Sequence, residues 1–95
     1  MDENTLLEQL EEVARSLGIE VRHEVLKGEG SFSPGGLCRL QGKYLLILNS
    51  RATQGERIQA MASAINGFDL TRIYLKPGVR EFLERLAKKK EHTSE

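Results

Sequence analysis

A chain of 95 residues, 39% apolar and 29% charged, has the size and balance of one domain with one core and excludes a disordered polymer. Acidic and basic residues number 14 each, so the formal balance speaks against nucleic acid held by excess positive charge and leaves little repulsion between copies. A single cysteine excludes an internal disulfide; together with an acidic, amphipathic start and no apolar run near the ~20 residues of a membrane span, it reads as a cytoplasmic chain with no membrane partner.

The first element in chain order is a helix. Thr5 and Glu8 fit a capping box, and Leu6, Leu7, Leu10, Val13, Ala14 and Leu17 fall on one stripe. Gly18 is the stop, because glycine accepts the left-handed backbone just past a helix end. In "IEVRHE", Ile19, Val21 and His23 alternate with Glu20, Arg22 and Glu24, the pattern of a strand with one face covered. "KGEGSFSPGG" is loop by its glycines and proline. Residues 37–40 and 43–48 then form a hairpin around Gln41-Gly42, and the second strand, "YLLILN", is apolar on both faces, which predicts a central position.

A second capping box, Thr53 with Glu56, opens a helix carrying Ile58, Met61, Ala62 and Ile65, and Asn66-Gly67 ends it. Residues 73–75 suit either a short strand or a linking turn. Pro77 fits the first turn of a third helix with the stripe Val79, Phe82, Leu83 and Leu86. The predicted fold is therefore α+β: a small antiparallel three-stranded sheet, its central hairpin at 37–48, packed with three helices. The domain spans 1–87, and the charged residues 88–95 are a disordered tail.

The chemistry-bearing residues are few. A zinc site needs three or four ligands, and His23, Cys38 and scattered carboxylates have no ligand spacing, so no metal and no cofactor is expected. Cys38 with His23 is the one Cys/His pair that neighbouring strands could bring together, with Arg39 on the opposite face. The plainer reading of Cys38, alternating with Leu40, is a small buried apolar residue. The glycines of "GEGSFSPGG" lead into a strand and lack the lysine and helix start of a phosphate loop. The carboxylates Glu11, Glu12, Glu81 and Glu84 lie on polar helix faces, where solvated charge is the default.

A helix ending in "LG", then "IEV", then "GGLCRLQGKYLLILNS" and a helix from about Glu56 resembles the core of the ImmA/IrrE-like metallopeptidases over roughly Leu6 to Phe68. That resemblance implies a zinc-binding helix carrying H-E-x-x-H. Here the helix reads "QAMASAING": Ala62 and Ser63 stand for the first histidine and the glutamate, and Asn66 for the second histidine. The resemblance with these residues implies a non-catalytic relative or a scaffold look-alike. The "GGLCR" and "FDL..IYL.P..RE" blocks are also similar to those of small bacterial proteins.

Together these features lead to a non-catalytic domain working through protein–protein contact, self-association into a homodimer included. Gly35, Gly36 and Arg39 are the candidate binding residues. The alternative is a thiol- or ligand-dependent enzyme using Cys38, His23 and Arg39 beside the glycine-rich loop. A nucleic-acid accessory would rest only on Arg72, Lys76, Arg80, Arg85 and the run Lys88–Lys90.

Overall fold

The structure, a computed structural model, describes residues 2–25 and 35–93, with the backbone alone for 90–93. The elements follow the order α1 (Glu3–Ser16), β1 (Ile19–Glu24), β2 (Gly35–Leu40), β3 (Lys43–Asn49), α2 (Gln54–Ile65) and α3 (Pro77–Thr93).

Helix α1 begins one turn earlier than the Thr5 box predicts. Asp2 is its cap, and the Asp2 carboxylate accepts from the Thr5 amide at 2.8 Å. Aspartate caps as well as threonine, so the earlier residue wins and the helix gains the intervening bonds. Leu7, Leu10, Val13 and Ala14 are its buried face. Gly18, at φ 82, makes the sharp exit into β1. Helix α2 has the expected capping box: the Glu56 amide donates to Thr53 Oγ1 at 3.1 Å, and the Thr53 amide donates to Glu56 Oε1 at 2.9 Å.

The sheet order is β1-β3-β2. β2 and β3 are antiparallel, with Leu37 opposite Leu46 and Cys38 opposite Leu45. β1 lies parallel to β3, with Ile19 opposite Tyr44 and His23 opposite Leu48. The expectation of an antiparallel sheet is corrected here: the sheet is mixed. The tight turn forces β2 against β3, and β3, apolar on both faces, takes the centre. β1 must then pair with β3 rather than with β2, and those two strands run in the same direction.

Helices α1 and α2 cover one side of the sheet, and α3 packs on them. Ile19, Tyr44, Leu46 and Leu48 face α1 and α2 and join one core with Leu10, Met61 and Ile65. α1 lies against β1 and α2 against β2 and β3, while α3 packs on α1 and α2. The opposite face carries Glu20, Arg22 and Glu24 from β1, Lys43, Leu45 and Ile47 from β3, and Gly36, Cys38 and Leu40 from β2.

Of the two alternatives for residues 73–75, the structure has the linking segment, and its Leu75 is buried against the core. Helix α3 runs from Pro77 to Thr93. Lysine and glutamate are good helix formers, and a helix already nucleated by packing extends through them at little cost.

Candidate interaction surface

The edge strand β2 is defined by its turn. Gln41 at φ 53 and Gly42 at φ 81 are both left-handed, the signature of a two-residue type I′ hairpin. Such a turn closes with Leu40 and Lys43 as a hydrogen-bonded pair. Bonded and non-bonded pairs alternate along an antiparallel ladder, so Gly36 and Cys38 also direct their backbone groups to β3. Leu37 and Arg39 direct theirs outward, to an edge with no further strand among the described residues.

This edge is apolar. Leu40 is 62% exposed and Leu37 41%, and Cys38 is exposed as a free thiol. The structure thereby overturns the expectation of a buried Cys38: its neighbour in the sheet, Leu45, is covered, but the thiol sits on the outermost strand. The two glycines differ. A Cβ on Gly35 would stand 2.7 Å from the Ile47 carbonyl oxygen, whereas one on Gly36 would meet no atom within 4 Å. Gly35 permits close approach to β3; Gly36 leaves a bare patch of backbone on the outer face.

Arg39 points to the helix face. Its guanidinium lies over the Tyr44 ring at 5.3 Å, and Tyr44 meets Phe68 edge-to-face with centroids 4.9 Å apart. The arginine is therefore held on its own chain by a cation–π contact and turned away from the strand's outer face.

His23 and Cys38 are not brought together. β3 lies between their strands, and the alternation places His23 on the helix face and Cys38 on the outer one. His23 Nε2 instead sits 3.1 Å from Glu11 Oε2 of α1. Without a base near it, the thiol has no partner among the described residues for the activated-nucleophile arrangement. No group of three or more histidine, cysteine or acidic side chains able to hold a metal occurs among the described residues. On the outer face Arg22 bonds Glu20 at 2.8 Å, and that hydrogen bond, with the carboxylate's charge, raises the guanidinium pKa above its ordinary value.

No protein-family model, curated protein or solved structure matches this chain. The site has to be read from its own geometry.

A cleft of about 330 Å³ between the 66–75 link and α3 is lined by Leu70, Ile73, Leu75 and Leu83 with Arg80 and Glu84. No histidine or cysteine lines it. No helix among the described residues is long and apolar enough to cross a membrane.

Sequence reasoning singled out Gly35, Gly36 and Arg39 but missed Leu37 and Leu40, the most exposed apolar residues of the strand. A signal was present: the outer-face residues Gly36, Cys38 and Leu40 include no charge, whereas the other edge strand presents Glu20, Arg22 and Glu24 there. An edge strand with no charge on its outer face lacks one of the usual guards against pairing.

Proposed function

We infer that this is a non-catalytic domain that works by protein–protein contact through the edge strand β2. The observation that carries the reading is the exposure of Leu40 and Leu37 on a strand whose outward backbone groups at Leu37 and Arg39 are set up to receive another strand. The other edge, β1, carries a charged outer face of the kind that discourages pairing.

The resemblance to the ImmA/IrrE scaffold fits within this reading as a scaffold without its chemistry. Ala62 is fully buried in the core, and Asn66 donates its amide to the Leu83 carbonyl at 3.1 Å, tying α2 to α3. Both positions serve packing.

The test is site-directed photo-crosslinking in extract of the source cell. A photoreactive amino acid in place of Leu40 should give a discrete protein adduct, and the same group in place of Arg15, on the exposed face of α1, should not. Equal adducts from both positions, or none from position 40, would remove β2 as the contact.

A further inference from the structure

We propose that the strand received by β2 comes from a second copy of this chain, paired antiparallel about a two-fold axis through Cys38. This rests on the reading of β2 as the contact strand and names its partner.

Geometry restricts the register. Residues opposed in a ladder share a face, so outer-face residues 36, 38 and 40 must oppose outer-face residues of the second copy. The two-fold axis then passes through a residue, and the three interior centres of the exposed stretch 36–40 are Leu37, Cys38 and Arg39. A centre at Arg39 sets the two arginines directly opposite, a like-charge pairing that destabilises a ladder. A centre at Leu37 takes the ladder past Gly35, the first described residue of β2, so that Leu40 has no opposing residue among those described.

A centre at Cys38 has neither fault. It opposes Leu40 to Gly36, Leu37 to Arg39 and Cys38 to itself. The most exposed leucine of the strand then covers Gly36, where a side chain would meet nothing within 4 Å. Large meets bare in both directions, as an isologous contact requires. Leu37 and Arg39, whose backbone groups point outward, become the hydrogen-bonded pair. Each arginine stays on its own Tyr44, away from the axis. The chain's zero formal charge adds no general repulsion between copies.

The same register makes Cys38 opposite Cys38 a non-hydrogen-bonded pair. Its Cα atoms fall about 4.5 Å apart, within the ~4.4–6.8 Å that a disulfide spans. This gives the test. The full chain is treated under native conditions with a mild thiol oxidant, which accepts the two electrons as two thiols lose their protons and join. Three variants carry Cys38→Ser with one new cysteine each: Gly36→Cys, Leu40→Cys or Arg39→Cys.

The parent should yield a disulfide-linked dimer that increases with concentration and falls to background in denaturant. The Gly36→Cys and Leu40→Cys variants should link poorly alone and efficiently when mixed, and Arg39→Cys should link poorly with itself. Self-linking of Leu40→Cys as efficient as its linking to Gly36→Cys overturns the register. Light scattering that finds a monomer at every concentration, with linking at background, overturns the second copy as partner. In that case the photo-crosslink at position 40 still decides separately whether β2 is a contact strand.

Discussion

Arg39 and Tyr44 face each other across the β2–β3 ladder, with the guanidinium 5.3 Å from the ring centroid. Tyr44 in turn meets Phe68, just past the end of α2, edge-to-face. A charge on the edge strand is thus anchored through one aromatic ring to the residue that closes α2. An Arg39→Ala change should cost about 0.5 kcal/mol, the size of a cation–π contact at an exposed site. A double-mutant cycle replacing Tyr44 and Phe68 by leucine should return a coupling of about 1 kcal/mol. Additive effects in urea unfolding would mean that the rings merely lie near each other.

The glycine pair offers a sharper contrast. Gly35→Ala puts a methyl group 2.7 Å from the Ile47 carbonyl oxygen, a backbone atom that cannot swing aside. The expected loss is about 2 kcal/mol, in the range for overpacking. Gly36→Ala points its methyl into open space, and the monomer should keep or gain up to about 0.5 kcal/mol from reduced unfolded-chain entropy. Denaturant midpoints of the two variants check this, and equal midpoints would contradict it.

Leucines at the two extremes of exposure should also separate. Leu10 is fully buried between α1 and the rest of the core, so Leu10→Ala should cost about 3 kcal/mol through transfer and cavity terms. Leu40→Ala should leave monomer stability within about 0.5 kcal/mol. A large loss from Leu40→Ala at low concentration would show that the residue serves folding rather than contact.

In dilute solution Cys38 should react with an alkylating reagent in the folded protein, because its side chain is exposed. Mass spectrometry of the labelled native chain measures it. Labelling only after unfolding would return Cys38 to the buried role its sequence pattern suggested.

The acid limb of stability has an identifiable contributor. The Thr5 amide bonded to Asp2 holds that carboxyl below its ordinary value of 3.8. A lowered folded-state pKa contributes stability above the unfolded value, and the contribution is lost as pH falls through the folded value. Asp2→Ala should therefore be less stable than the parent near neutral pH, with the gap narrowing as pH falls below about 3.8. Thermal unfolding across that window tests it; a gap that does not change with pH would remove the charge from the cap's role.

Much of the local structure was legible because it depends on near neighbours. The Thr53–Glu56 box, the Gln41-Gly42 turn and the stripe Ile58, Met61, Ala62 and Ile65 all stand where residue chemistry places them. The parallel pairing of β1 with β3 was not legible. Val21 and Leu46 are opposed across 25 positions of chain, and alternation fixes only which face a residue lies on, not which strand stands beside it. The separation of His23 from Cys38 was hidden for the same reason.

The sequence alone determined the helices, the hairpin, the alternation of β1 and the central role of "YLLILN", because backbone preference and apolar spacing act over a few residues. Only the tertiary structure decided that β2 is an edge strand, that Cys38 and Leu40 are exposed on it, and that α1 and α2 cover the opposite face. Those properties depend on which surfaces remain after the core has closed, and closure is a competition among all the apolar faces at once.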